Sequence, residues 1–201
     1  MLRLLYSPAS PFARKVRMAA LERGVRLELE LAAVHPVQRN EELAALNPLA
    51  KIPVLLTPEG PIYDSRIICR YLDRRGEGPS LYVSERADVW EILTLEALAD
   101  GIMDAAVANR YELAVRPEAL RWPSWSEAQF ARIDAALDLL ETKVPRLGGG
   151  DVGSLGMGAA LEYLDFRHPV RPWRGGRPRL AAWLADFAQS PAMQRTSYPK
   201  D

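Results

Sequence analysis

The chain has 201 residues, 48% of them hydrophobic and 26% charged, with 26 basic residues balanced by 26 acidic ones. This length suits one large domain or two small ones, and the balanced charge argues against a nucleic-acid surface or a polybasic membrane anchor. No run approaches the roughly 18 apolar residues of a membrane span, and the single cysteine, Cys69, excludes an internal disulfide. We therefore expect a cytoplasmic protein without membrane or nucleic-acid partners.

The first part of the chain changes its hydrophobic period repeatedly, which predicts a small α/β domain in the order β-α-β-α-β-β-α. Ser10 suits a helix N-cap, Pro11 the first helical position and Gly24 the helix end. Strict alternation of apolar residues after Gly24 predicts a half-buried strand. The predicted strands are 2–7, 25–31, 52–57 and 61–64, and the predicted helices are 10–24, 39–48 and 65–76.

A connector at 76–86 carries Gly, Pro and Ser, and no strand pattern follows it. The rest of the chain therefore predicts an all-α domain, with Ser126 and Gln129 as a capping box that opens its second helix. The predicted helices are 84–115, 126–143, 160–166 and 177–189. The expected domains are residues 1–77 and 85–201.

Pro53 is the unusual residue of the apolar run "AKIPVL" at 50–55. Proline cannot donate to a sheet ladder, so it is normally confined to strand edges, first positions or bulges. Taken alone, Pro53 is most simply a trans-proline that starts an edge strand.

Four segments together resemble the cytosolic glutathione S-transferase family, with a further likeness to a bacterial subgroup at "EALADGIMDA" (96–105). They are "SPFARKVR" (10–17), "NPLAKIPVL" (47–55), "YDSRIICRYL" (63–72) and "RPRLAAWLADFAQSPAMQRTSYP" (177–199). The resemblance covers the whole chain and implies a serine-type or omega/zeta-like member. It implies a thioredoxin-like glutathione-binding domain at 1–77 and an all-helical domain at 85–201 that contributes the electrophile site.

The resemblance also implies a glutathione site. In this family the residue matching Pro53 is a cis-proline, so the Ile52 N–H and C=O are expected to face outward and pair with glutathione as an added strand would. Asp64 and Ser65 match the acidic-Ser pair that holds the γ-glutamyl group. Lys51 is a candidate partner for the glycyl carboxylate, with a solvated charge as the alternative.

Ser10 matches the position where related transferases carry Ser or Cys, which implies that its hydroxyl stabilises the glutathione thiolate. A hydrogen bond to a charged group contributes about 1.5–3 kcal/mol and a helix N-terminus about 0.3–1 kcal/mol, so neither a base nor a metal is required. A plain N-cap is the alternative role. Ser7 is the main rival, Tyr6 is a third option, and Arg14 is a further candidate for lining the site.

These residues predict a glutathione S-transferase that uses glutathione as co-substrate and acts on a small electrophile. Tyr111, Trp122 and Trp125 are candidate walls of the electrophile site, and the family implies a homodimer. Two alternatives remain open: a non-catalytic binding or regulatory protein of the same fold, and a glutathione-dependent reductase or isomerase.

Other patterns predict no further chemistry. The two histidines, His35 and His168, form no metal-ligand spacing with Cys69, which is expected in the core. "GGGDVG" (148–153) matches a dinucleotide fingerprint but follows a helix, so a loop is expected. In "SLGM" (154–157), Ser154 is expected to cap a helix that lacks the acidic residue the family usually has at the position of Met157.

Overall fold

The first half of the chain folds in the predicted order β-α-β-α-β-β-α, and a group of helices follows it. The computed structural model describes residues 1–85 and 87–199. Within these residues the strands are β1 (Arg3–Tyr6), β2 (Glu28–Leu31), β3 (Val54–Thr57) and β4 (Gly60–Ile62). The α-helices are α1 (Pro11–Glu22), α2 (Glu41–Leu46), α3 (Ser65–Arg75), α4 (Val89–Ala114), α5 (Pro123–Lys143), α6 (Val152–Arg167), α7 (Pro178–Phe187) and α8 (Pro191–Arg195). The predicted fold class, a thioredoxin-like sheet domain followed by helices, is confirmed.

The sheet has the strand order β2-β1-β3-β4. β1 runs parallel to β2 and antiparallel to β3, and β3 runs antiparallel to β4. The end of β1, the start of β3 and the end of β4 therefore lie along one edge of the sheet, which we call the upper edge. This topology determines which of the predicted site residues meet.

The core of the sheet domain lies between the sheet and helices α1 and α3, where Leu4, Val16, Leu55 and Ile68 are fully buried. The prediction for residues 25–31 is only partly right, because β2 covers Glu28–Leu31 alone and is the outermost strand. Its side chains at Leu29 and Leu31 are 44% and 71% exposed. An edge strand has a neighbour on only one side, so alternation there does not guarantee burial.

Helices α4 and α6 form the centre of the helical half, where glycines let the two backbones approach closely. A Cβ atom at Gly153 would lie 2.8 Å from the Leu95 Cβ and 2.9 Å from the Ile92 carbonyl oxygen. A Cβ at Gly156 would lie 3.1 Å from the Ala99 Cβ. The glycines of this segment therefore serve helix packing.

Two capping predictions are wrong. α6 begins at Val152 and is capped by Asp151, which accepts hydrogen bonds from the Ser154 backbone N–H (2.9 Å) and hydroxyl (2.8 Å). Ser154 thus lies inside the first turn and does not cap. Residues 148–150 lie in the predicted loop, but the end of the Gly-rich motif opens the helix.

The second wrong prediction concerns Ser126, which lies inside α5. This helix begins at Pro123, with Trp122 in the cap position, because proline at the first turn is already suited to start a helix. Ser126 is 5% exposed and packs inside. None of the described helices is long and apolar enough to cross a membrane.

Candidate functional site

The upper edge of the sheet brings together the predicted site residues from three separate parts of the chain. Ser7 and Ser10 follow β1, Lys51, Ile52 and Pro53 precede β3, and Asp64 and Ser65 follow β4. Since helices α1 and α3 both begin at this edge, two helix N-termini face the same region and favour negative charge there.

Ser10 is the N-cap of α1. Its backbone is extended (φ −83°, ψ 120°), and its Oγ accepts a hydrogen bond from the Ala13 N–H at 3.2 Å. The hydroxyl hydrogen remains available to donate. The backbone N–H of Phe12 also has no hydrogen-bond partner in the described part of the chain. The start of α1 therefore presents a hydroxyl donor and a free backbone donor.

The two rivals of Ser10 lie just before it. The Ser7 Oγ accepts from the Ala9 N–H at 3.3 Å, and the Ser7 C=O accepts from the Ser10 N–H at 3.0 Å, so Ser7 shapes the turn that leads into α1. Tyr6 ends β1, and its ring stacks against the Arg17 guanidinium at 5.2 Å. Of these three candidates only Ser10 caps the helix, where the helix dipole supports its hydroxyl.

Ile52 presents an unused backbone edge. The Ile52–Pro53 bond is cis, and neither the N–H nor the C=O of Ile52 has a hydrogen-bond partner within the described residues. Buried Asn47 shapes the preceding loop: its Nδ2 donates to the Lys51 C=O at 2.9 Å, and its Oδ1 accepts from the Leu49 N–H at 3.1 Å. This role of Asn47 was not among the predictions from sequence, although an Asn-Pro pair at a helix end is a turn signal.

Asp64 and Ser65 open α3. Asp64 Oδ1 accepts from the Arg66 N–H at 2.8 Å, whereas Oδ2 has no partner in the described part of the chain. Asp64 is exposed and Ser65 is 3% exposed, with no hydrogen bond recorded for the hydroxyl of Ser65 among the described residues. A carboxylate beside a hydroxyl at a helix N-terminus suits the zwitterionic end of an amino acid, because each of its charges meets its opposite.

Helix α4 approaches this region from the helical half through Asp104. Burial raises the pKa of Asp104, as does the neighbouring Asp100, while the positive charges of Lys51 and Arg66 act in the opposite direction. Lys51 itself is exposed. Asp104 carries no local sequence signal, because its interaction with Lys51 arises only when α4 packs beside the sheet domain.

Arg14 does not line the upper edge. It is 1% exposed and forms an ion pair with the Glu162 carboxylate of α6. Its guanidinium also donates to the Met193 C=O at 3.3 Å and stacks on the Tyr198 ring at 4.4 Å. These contacts tie α1 to α6 and to the C-terminal segment, so the expectation for Arg14 is corrected to a structural role.

The candidate walls of the electrophile site belong to α4, which contains Tyr111, and to the start of α5, where Trp122 and Trp125 lie. Tyr111 is half-buried, and burial raises its pKa. Trp122 is 64% exposed, and its backbone N–H donates to Glu112 Oε1 at 2.7 Å. Glu112 lies about 12 Å beyond Asp104 along α4. Trp122 is thus held beside Glu112, the residue that follows Tyr111 in α4, and Trp125 is half-buried.

The remaining candidate groups belong to the core. Within residues 1–85 and 87–199, no group of His, Cys, Asp and Glu side chains is arranged to hold a metal ion. Cys69 is fully buried, and this burial raises its pKa to about 12. His168 is 4% exposed, and its Nε2 lies 2.9 Å from the Ala106 carbonyl oxygen, which accepts its hydrogen bond.

Comparison with known proteins identifies the family. The family model "Glutathione S-transferase, N-terminal domain" matches residues 4–80. The Escherichia coli K12 protein named uncharacterized GST-like protein YibF is 32% identical over 206 residues, which cover 99% of this chain and 100% of that protein. A glutathione transferase family member from Pseudomonas fluorescens Pf-5, solved with bound glutathione, is 41% identical over 100% of both chains, with a TM-score of 0.95. A structure of a family member from the same strain with bound S-(propanoic acid)-glutathione has 41% identity and a TM-score of 0.90, covering 99% of this chain and 100% of that one. This chain belongs to the glutathione S-transferase family.

Proposed function

We propose that this protein is a glutathione transferase that binds glutathione along the upper edge and activates its thiol for attack on a small electrophile. The observation that carries the proposal is that neither the N–H nor the C=O of Ile52 has a hydrogen-bond partner within residues 1–85 and 87–199. An extended peptide adds to such an edge as another strand. The bound glutathione of the 41% identical Pseudomonas protein supports this choice of ligand.

The ends of the peptide have complementary partners on either side of Ile52. Asp64 receives the γ-glutamyl ammonium on its free carboxylate oxygen, and Ser65 with the start of α3 receives the γ-glutamyl carboxylate. Lys51, which is exposed next to Ile52, receives the glycyl carboxylate. These charge pairs orient the tripeptide so that its thiol faces the start of α1.

Ser10 stabilises the thiolate there by donating its hydroxyl hydrogen. A free thiol has a pKa of about 8.5, so little of it is ionised at neutral pH. Because the Ser10 oxygen already accepts from the Ala13 N–H, the hydroxyl is oriented with its hydrogen directed away from the helix. The Phe12 N–H, which has no partner among the residues that the structure describes, and the helix dipole add to this stabilisation.

Conjugation is favoured over disulfide chemistry at a protein thiol. The only cysteine, Cys69, is fully buried with its pKa raised to about 12, so a thiolate at this residue is not available to attack a disulfide. We place the enzyme in the cytoplasm, where glutathione is the abundant thiol.

Calorimetric titration with glutathione, combined with ultraviolet absorbance of the bound thiolate, tests the proposal. We expect saturable binding, a thiolate signal near neutral pH and conjugation of a model aryl halide. Asp64→Asn should weaken binding, whereas Ser10→Ala should chiefly reduce the thiolate signal. Absence of binding at millimolar glutathione would refute the proposal and leave a non-catalytic protein of this fold. Binding with turnover only of disulfides or peroxides would instead indicate a reductase.

We further propose a homodimer. Trp90 of α4 is 75% exposed and Ile67 of the neighbouring α3 is 52% exposed, contrary to the burial expected of large apolar side chains. The same outer stripe of α4 carries small residues, Ala97 and Gly101, that allow another helix to approach. Light scattering should give twice the chain mass, and Trp90→Glu should shift the protein toward the monomer. A monomeric wild-type protein at micromolar concentration would refute the dimer.

A further inference from the structure

A buried group of four charged side chains joins three helices beneath the upper edge. Lys15 of α1 contacts two carboxylates of α4, Glu96 at 3.2 Å and Asp100 at 2.7 Å. The second carboxylate oxygen of Asp100 accepts from Arg66 of α3 at 2.6 Å. The side chain of Lys15 is 0% exposed and those of Glu96 and Asp100 are each 3% exposed, whereas the side chain of Arg66 reaches solvent.

Two side chains of this group are basic and two are acidic; burial raises the pKa of Glu96, while the charge and hydrogen bond of Lys15 act in the opposite direction. Burial acts to lower the pKa of Lys15, but the neighbouring Asp100 and Glu96 carboxylates act in the opposite direction and the pKa is raised. Lys15 is therefore charged at neutral pH. Apolar residues often replace such buried ion pairs without loss of stability, so stability alone gives little reason for four charges here.

The position of the group in the fold suggests another role. Lys15 lies about 7–8 Å along α1 from Ser10, and Arg66 directly follows Ser65. Asp100 bonds to both cations, so it connects the helix that begins at Ser10 with the helix that begins at Ser65. β1 and β4 are separated by β3, and no ladder hydrogen bond joins them directly. The ionic group is thus a polar link between α1 and α3 that passes through Asp100 of α4.

We propose that Lys15 and Glu96 are positioning residues that hold α1 against α4 and so set the distance between Ser10 and the Asp64–Ser65 pair. This inference rests on the proposed function, because that distance must match the span from the thiol to the γ-glutamyl end of glutathione. Charged hydrogen bonds of fixed direction suit this role better than apolar contacts, which permit sliding.

The double variant Lys15→Met/Glu96→Gln tests the inference, since it removes one charge of each sign and leaves the Asp100–Arg66 pair in place. We expect glutathione affinity to fall about tenfold and the pKa of the bound thiol to rise. The reason is that the thiol and the γ-glutamyl end of glutathione can no longer meet their protein partners at the same time. At saturating glutathione, the KM for the electrophile should change little. A purely structural role would lower the melting temperature without moving the affinity or the thiol pKa.

A matched control removes an ion pair of the helical half. Arg177 is 8% exposed and contacts Asp138 at 2.8 Å across the α5–α7 contact. Arg177→Met/Asp138→Asn should lower stability and leave glutathione affinity unchanged. If the test variant fails to fold, Glu96→Gln alone keeps the charged Lys15–Asp100 pair and should show a smaller loss of affinity in the same direction.

The outcomes separate the two proposals. Unchanged glutathione affinity and thiol pKa in a folded test variant, beside normal binding by the wild-type protein, would overturn the positioning role alone. Absence of glutathione binding by the wild-type protein would overturn both this inference and the proposed function.

Discussion

Substitutions at Ser10 separate its two roles, because its oxygen caps α1 while its hydrogen remains free to donate. The Oγ accepts from the Ala13 N–H at 3.2 Å. Ser10→Ala removes both roles. Loss of an N-cap costs about 1 kcal/mol, which lowers the melting temperature of a chain of this size by about 2–4 °C. Loss of a hydrogen bond to a thiolate, worth about 1.5–3 kcal/mol, raises the bound thiol pKa by about 1–2 units.

Ser10→Asp provides the contrasting variant. A carboxylate at the N-cap still accepts from the Ala13 N–H and interacts favourably with the helix dipole, so stability should stay within about 1 kcal/mol of the wild-type protein. The carboxylate has no hydrogen to donate and places a negative charge beside the thiolate. The bound thiol pKa should therefore rise at least as far as in Ser10→Ala.

Both quantities are measured on the same samples, stability by thermal unfolding and the thiol pKa by ultraviolet titration of the glutathione complex. The reasoning would be refuted if both variants kept the wild-type thiol pKa while binding glutathione normally. Ser10 would then be a cap only, and Ser7→Ala, titrated in parallel, would examine the rival hydroxyl in the preceding turn.

Three other changes test single contacts. Gly158→Ala should lower the free energy of unfolding, measured by urea titration, by about 1–2 kcal/mol, because the added Cβ would lie 2.6 Å from the Phe187 ring. A gain in stability would show that α6 and α7 are loosely packed there. Burial lowers the pKa of His168, so the unfolded chain binds the extra proton and stability should fall from about pH 7 to pH 5. His168→Gln should lessen this pH dependence, and an equal slope in both proteins would exclude His168 as its source. Asn47→Ala removes the two hydrogen bonds that shape the loop before Ile52 and should weaken glutathione binding several-fold; unchanged affinity would show that the loop holds its shape without them.

The sequence determined the features that depend on near neighbours. The order of elements follows from hydrophobic period, and the caps at Ser10 and Asp64 involve contacts only two or three residues away. Cys69 lies among apolar residues of one helix face and is buried as predicted. The motifs around Pro53 and Asp64 indicated the family and the candidate site, because their order along the chain is itself sequence information.

Contacts between distant segments depend on the tertiary structure. Nothing local distinguishes Arg14, which joins α1 to the C-terminal segment, from an arginine that lines a site. Likewise Lys15 meets Glu96 and Asp100 more than eighty residues along the chain. The glycines at the start of α6 also have their reason in its packing against α4, where a Cβ at Gly153 would lie 2.8 Å from the Leu95 Cβ. Such pairings depend on how the helices pack together and are not recognisable in a short stretch of sequence.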